Sequence, residues 1–310
     1  MIAQVVVDVV HTNVAHPFSY LIPERMELSI GSRVRVPLGS RQVDGVVVAL
    51  SQTADVPLEK LRPVSKVLDS YPALLPPLLE LAEEMALETH CPLSETLRLM
   101  LPAAMRTGRI QQKQEWCARL LPGVDAETAA QTQKRAPKRA TLLRLLADGE
   151  VHTLADLSLL VGEPRDALKA LEKNGLVSLF AREVFRAPDG TDGIQRTEAP
   201  PMTAEQQEAL DTMLPALRLG RGAFLLHGVT GSGKTEVYLA MVRQALSMGK
   251  GAIILVPEIA LTPQMVRWFR SRFGPETAVL HSRLTDGQRY DEWRRIRLGQ
   301  ARVVVGARSA

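Results

Sequence analysis

At 310 residues, with 45% hydrophobic and 23% charged side chains, the chain has the composition of a globular protein of about two or three domains, which excludes the fibrous and disordered classes. A net charge of +4 and a pI near 9.2 favour polyanionic partners without requiring them. Two cysteines, Cys91 and Cys117, exclude a disulfide framework or a zinc site and point to a reducing cytoplasm, and no run reaches the ~18 apolar residues of a membrane span.

Residues 4–69 read as β. Gln4–Val10, Phe18–Ile22, Ser32–Pro37, Gly45–Leu50 and Val64–Leu68 are short, rich in valine and separated by Pro23, Gly31, Pro37-Leu-Gly39 and Pro57. Asp8 interrupts the apolar Met1–Val10, which lacks the basic leader of a signal peptide. So many strands in so few residues suggest a small barrel or sandwich. Arg33 and Arg35 alternate with Val34 and Val36, giving one basic face that is either simply solvated or a nucleic-acid surface. Residues 73–104 turn helical, with Leu74, Leu75, Leu78, Leu79, Leu81, Ala82 and Met85 on one face, as a cover for the barrel. The first domain is placed at 1–106.

Residues 107–139 are polar and read as a linker with some helix; its cluster Lys134-Arg135-Ala-Pro-Lys138-Arg139 serves either solubility or phosphate contact. Residues 140–187 carry three helical stretches and then two short β runs, Leu176–Phe180 and Glu183–Arg186, expected to pair as a hairpin. Thr153 is placed to cap the second helix, and Asn174-Gly175 closes the third. Three helices and a hairpin is the winged-helix order. Arg165, Lys169 and Lys173 recur at i, i+4 and i+8, one basic edge interleaved with Asp166 and Glu172; it suits DNA contact, whereas many such modules only dock proteins.

Residues 188–201 form a second linker. From 202 onward helix and strand alternate with short loops, the pattern of a parallel sheet covered on both faces, here the first, partial lobe of a RecA-like motor at 202–310. Gly228-Val229-Thr230-Gly231-Ser232-Gly233-Lys234-Thr235 matches G-x-x-x-x-G-K-[ST] completely, between the expected strand Ala223–Leu226 and a helix starting at Lys234. In such a loop glycines turn backbone N–H groups toward a phosphate at a helix N-terminus, the lysine reaches the β- and γ-phosphates, and the hydroxyl of Thr235 holds Mg²⁺. ATP with Mg²⁺ is therefore the expected cofactor, and Lys234 and Thr235 are the candidate catalytic residues.

Four stretches together resemble the PriA family of replication-restart DNA helicases (primosomal protein N′) of superfamily 2: Gly228–Tyr238 with its Glu236-Val-Tyr continuation, Val256–Gln264, Leu280–Leu284 and Gly306–Ala310. The N-terminal Phe18-Ser-Tyr-Leu-Ile-Pro23 and Gly31-Ser-Arg-Val-Arg-Val-Pro-Leu-Gly39 resemble the same family's 3′-DNA-binding domain, so the likeness runs nearly the whole chain. The resemblance implies a fold of small β-barrel-like DNA-binding domain, winged helix and partial RecA-like lobe. It implies ATP contacts from Gln206, which would read the adenine edge, and from Gly228 through Glu236. Thr262, Gln264, Arg308 and Ser309 would grip single-stranded DNA phosphates, contacts that position a strand without reading it. Phe18, Tyr20 and Arg62 would line the pocket for a nascent strand's 3′ end, with Ser19 where some members carry an acidic residue. Arg267, Arg270, Arg272, Arg294, Arg295 and Arg297 read as polar helix faces.

The resemblance further implies forked and single-stranded DNA, single-strand-binding protein and primosome components as partners, no membrane association and a monomer. These 310 residues contain no Asp-Glu box, second motor lobe or cysteine-rich zinc module, although zinc is expected of the family; they are therefore expected to bind nucleotide weakly, hydrolyse it negligibly and unwind nothing. Competing readings are another superfamily 2 translocase, a non-catalytic fork-DNA adaptor and a winged-helix transcription regulator.

Overall fold

Valine fills positions 5–7 and 46–48 without a break, where a half-exposed sheet would need apolar residues only alternately, and the reason is that the two strands carrying them are covered on both faces. The structure is a computed structural model that describes residues 1–9, 16–53, 56–106, 110, 112–188, 193–257 and 262–307. The chain divides into two compact units, residues 1–110 with 187–310, and residues 111–186.

The first unit opens with β1 (Ile2–Val7), β2 (Phe18–Leu21), β3 (Arg33–Leu38), β4 (Arg41–Ser51) and β5 (Lys66–Val67), an antiparallel sheet in the order β2-β1-β4-β3-β5. Val5, Val7 and Val47 face one core with Ala3, Tyr20, Val34, Val36 and Val64. Val6 and Val46 face a second, beneath α1 (Pro76–Thr89), α2 (Leu93–Leu99) and α3 (Ala103–Arg106), with Leu74, Leu79, Leu97 and Met105. The two edges of the sheet approach each other: Leu21 N donates to Arg62 O at 3.0 Å and Val64 N to Leu21 O at 2.9 Å, just before β5 begins. Two glycines permit close packing elsewhere in this layer. A Cβ at Gly45 would lie 2.6 Å from Val5 Cγ1, and one at Gly31, where φ is +84°, would lie 1.9 Å from Leu74 O.

The second unit comprises β6 (Gln114–Leu120), α4 (Ala126–Thr132), α5 (Pro137–Leu145), β7 (His152–Thr153), α6 (Leu154–Val161), α7 (Arg165–Lys173) and β8 (Val177–Glu183), with sheet order β7-β6-β8. Leu142, Leu143, Leu146, Leu157, Leu168 and Leu171 fill its core, and Thr153 caps α6 by accepting from Asp156 N at 3.0 Å. Two expectations are corrected. The stretch 107–139 holds the expected helix, α4, but also a strand, β6, so it is more than a linker; β6 has little apolar signal of its own and exists by pairing on both sides. The expected hairpin of 176–186 is instead one strand, β8, running antiparallel to β6 from Leu120↔Val177 to Gln114↔Glu183. Ala181-Arg182 offers no turn chemistry, so the strand continues and its partner comes from before the helices.

The first unit resumes with α8 (Ala204–Leu219), α9 (Lys234–Ser247), β9 (Ala252–Leu255), α10 (Pro263–Phe273), β10 (Thr277–Leu280), α11 (Asp286–Arg297) and β11 (Val303–Gly306). The strands are parallel in the order β10-β11-β9, and Leu239, Val242, Phe269, Phe273, Val303 and Val305 bury against one another. The expected strand Ala223–Leu226 is not one: it joins no ladder with any described strand, and Leu225 is 90% exposed. An apolar run becomes a strand only where a neighbour satisfies its backbone.

α11 joins this sheet to the N-terminal layer. Tyr290 enters the core beneath α1–α3, Trp293 Nε1 donates to Met100 O at 3.3 Å, and Arg297 donates to Ala73 O at 3.0 Å and to Pro72 O. On its other side Glu292, fully buried, accepts from Val279 N of β10 at 2.6 Å and from Arg295. Arg294 is 1% exposed and Arg295 and Arg297 are half-buried, so the α11 arginines are not a polar helix face, whereas Arg267 of α10 is exposed as expected.

Candidate nucleotide-binding site and DNA surface

α9 begins where the glycine loop ends. Gly231 and Gly233 hold φ of +83° and +79°, and Gly233 is the N-cap residue, so the loop turns sharply onto the helix. The first N–H groups of any helix lack intrahelical partners and carry its positive dipole end, which suits a phosphate. Lys234 Nζ is folded back over the loop, donating to Val229 O at 2.8 Å and to Gly228 O. Those carbonyl contacts are the ones an anionic phosphate would displace. The residues therefore fit a nucleotide's phosphates: a positive-φ glycine turn, one flexible ammonium and the Thr235 hydroxyl at the start of the helix for an accompanying Mg²⁺.

Gln206 is brought to the loop. A capping box at the start of α8 orients it: Thr203 N donates to Gln206 Oε1 at 2.9 Å and Gln206 N to Thr203 Oγ1 at 3.3 Å. Its remaining amide nitrogen donates to Gly233 O at 3.3 Å, and a Cβ on Gly233 would stand 2.2 Å from that nitrogen. Val229, Thr230, Gly231 and Ser232 are exposed along the loop. Glu236 is engaged elsewhere, accepting from Arg272 Nη2 at 2.9 Å and so tying α9 to α10.

Of the residues expected on single-stranded DNA, Thr262 caps α10 by accepting from Met265 N at 3.2 Å and Gln264 is exposed in its first turn. Arg308 and Ser309 lie outside the described residues, as does 258–261 of the Val256–Gln264 stretch. Nearby, His281 follows β10. Burial first, then the charges of Arg283 and Arg289, hold its pKa below the ordinary imidazole value.

In the N-terminal sheet the aromatic pair and Ser19 do not share a face. Phe18 pairs Val5 and Tyr20 pairs Ala3, both on the core side, while Ser19 pairs Gln4 and exchanges side-chain hydrogen bonds with it at 3.0 and 3.2 Å. Tyr20 is 4% exposed, which raises its hydroxyl pKa against an opposing pull from Arg62. Tyr20 and exposed Arg62 converge on the β3–β4 turn, donating to Pro37 O at 3.1 Å and Gly39 O at 2.6 Å. Arg33 and Arg35 share the other face of β3 but not an environment: Arg33 is buried against Asp69 at 3.2 Å, and Arg35 pairs with Asp44 at 2.7 Å, so neither is a free basic surface. The turn contacts, the Arg272–Glu236 pair and the bonds of Arg294 and Arg297 to residues 71–73 were not legible in the sequence, because those partners lie far apart along the chain.

A phosphate-type loop at a helix N-terminus beside a parallel sheet, in one unit with an antiparallel valine-rich sheet, is the arrangement of a P-loop lobe joined to a second, β-rich module. Residues 203–310 match the DEAD/DEAH box helicase family and residues 4–102 match the PriA 3′DNA-binding domain. Across 99% of its length the chain is 33% identical to the replication restart protein PriA of Bacillus subtilis, covering 46% of that relative. It is 33% identical to the Haemophilus influenzae PriA over 94% of this chain and 40% of that one. With the Treponema pallidum PriA it shares 48% identity over 38% of this chain and 18% of the other. The chain belongs to the PriA family, and it spans less than half the length of these relatives. No helix among the described residues is long and apolar enough to cross a membrane.

Proposed function

We propose that the chain recognises branched DNA at stalled replication forks and binds ATP, and that in a complete protein of this family these parts serve ATP-dependent 3′→5′ unwinding and primosome assembly during replication restart. The observation that carries the reading is the glycine loop Gly228–Thr235 at the head of α9, with Gln206 bonded to Gly233, in the same unit as the sheet matching a 3′DNA-binding domain. In this reading Lys234 leaves the carbonyls of Gly228 and Val229 for the β- and γ-phosphates, Thr235 binds Mg²⁺, and Gln206 turns toward the base. Thr262 and Gln264, with Arg308 and Ser309, hold single-stranded DNA phosphates.

The N-terminal sheet is read as a barrel-like module, on the strength of the Leu21–Pro63 bridge between its edges. The second unit is read as a winged helix with α7 as its third helix, although its strand partner is β6. Domains at 1–106 and 202–310, partners among single-strand-binding and primosome proteins, and a cytoplasmic location belong to the same proposal.

The test measures binding to a model fork with a free 3′-hydroxyl, the same fork with a 3′-phosphate, and plain duplex, at fixed salt. Preference for the free 3′ end supports the reading; equal affinity for all three overturns fork recognition. A second reading, a non-catalytic fork adaptor, is favoured by one observation: Lys234 is satisfied by its own loop while 223–227 stands outside the sheet. Failure of a fluorescent ATP analogue to bind, with fork binding intact, would select it.

A further inference from the structure

The second unit contains a basic recess that neither the glycine loop nor the expected α7 surface accounts for. It is an open depression of about 340 Å³ at the turn from α4 to α5, lined by Gln131, Thr132, Gln133, Lys134, Arg135 and Arg139 around the backbone of Ala136. Lys138 stands beside it. Four cations thus fall within residues 134–139 with no acid among them, and none of the four makes an ion pair among the described residues.

Arg144 of α5 grips Glu127 of α4 with two hydrogen bonds of 2.9 Å, which clamps the helices on either side of the turn. The turn itself is bonded by Gln133 N to Ala130 O at 3.0 Å and Ala136 N to Gln133 O at 2.9 Å. α5 then starts at Pro137 with no side-chain cap and no carboxylate in its first turn, which instead carries Lys138 and Arg139. Cations there oppose the helix dipole, and a bound anion relieves that opposition.

The chemistry of the lining selects among anions. No aromatic ring is present to stack a base, as a mononucleotide site would want, and no large apolar side chain to enter a lipid layer. What remains is a concave row of cations flanked by amide and hydroxyl donors, the complement of a phosphodiester backbone. α7 is poorer by comparison: Arg165 stacks on Trp116 at 5.5 Å, Asp166 lies beside it, and Glu172 accepts from Leu179 N at 3.0 Å.

We infer that the α4–α5 turn is a nucleic-acid backbone site, and that Lys134, Arg135, Lys138 and Arg139 rather than the basic edge of α7 supply the second unit's phosphate contacts. The inference rests on the reading of the chain as a DNA-binding protein.

The experiment titrates the full chain with a 20-base single strand and with the corresponding duplex over a series of salt concentrations. The variants are K134A/R135A/K138A/R139A, the charge-keeping K134R/R135K/K138R/R139K, and R165A/K169A/K173A. Each neutralised phosphate contact contributes roughly 0.9 to the log–log salt slope on duplex and roughly 0.7 on single strands. The first variant is expected to lose affinity by about tenfold or more and to flatten the slope by about 2 to 3, with an unchanged far-ultraviolet spectrum. The charge-keeping variant should stay near wild type, and the α7 variant should change the slope by less than the first. Loss on one probe alone identifies whether duplex or single strand is the ligand. Unaltered affinity and slope on both probes in the first variant, while wild type binds DNA, overturns this inference alone. Absence of DNA binding by wild type overturns it together with the reading beneath it.

Discussion

Arg294 Nε donates to the Tyr71 hydroxyl at 2.9 Å, across 223 residues of sequence. The guanidinium also lies 5.9 Å from the Tyr71 ring and 5.3 Å from that of Tyr290; nearby, burial raises the Asp69 carboxyl above the ordinary carboxylate range, opposed first by Arg33 and then by Arg294. A helix of the nucleotide lobe is thereby anchored in the layer beneath the N-terminal sheet. The same buried charges that make the contact specific make it costly to disturb, because a charge left without its partner in a dry interior cannot be resolvated.

Arg294→Ala is expected to destabilise the first unit by about 3–5 kcal/mol, whereas Tyr71→Phe, which removes one hydrogen bond and keeps the ring, should cost about 1 kcal/mol. Urea unfolding of the two variants and of the double variant checks this. Additive losses would show that the two side chains act independently.

Glu236 was expected at the nucleotide, yet it bonds Arg272, whose side chain is 8% exposed. Glu236→Gln should therefore lower stability by about 1.5–3 kcal/mol and leave ATP-analogue affinity unchanged. Lys234→Ala should do the reverse. A large affinity loss in Glu236→Gln at unchanged stability would return Glu236 to the nucleotide.

The depressed pKa of His281 sets a pH dependence. The unfolded chain takes up this proton near pH 6.5 and the folded chain only at lower pH, so the unfolded state binds more protons in the interval between. Stability is complete above about pH 6.5 and falls as pH drops through that interval, by at most about 1.4 kcal/mol per pH unit. Thermal unfolding at pH 7.5 and 5.5 should reveal a loss in the wild type that His281→Asn lacks.

Gly31→Ala meets two obstacles at once, a φ of +84° and the Leu74 carbonyl 1.9 Å from the new Cβ. The backbone around it is committed, with Gly31 N donating to Val47 O at 2.7 Å and Leu74 N to Gly31 O at 3.1 Å. A loss of about 2–3 kcal/mol or more is expected by denaturant titration. Gly39→Ala, where φ is +60° but no atom lies within 4 Å of the new Cβ, should cost less.

What the sequence determined by itself was local. The glycine spacing around Lys234 specifies a turn onto a helix, Thr153 specifies a cap, and valine-rich runs between turn residues specify short strands, because each of these acts through atoms a few residues apart. Alternation along β2 also separates Ser19 from Phe18 and Tyr20, so that division of faces was readable. Only the tertiary structure decided which strands found partners: β6 forms within an apparent linker, β8 pairs with it rather than turning back, and Ala223–Leu226, apolar as it is, pairs with none of the described strands. It likewise decided that Arg294 and Glu292 of a highly charged helix are buried while Arg62 of the proposed pocket stays exposed. A strand or a buried charge is stable only if a distant segment supplies its hydrogen bonds, and that dependence leaves no periodic mark in the residues themselves.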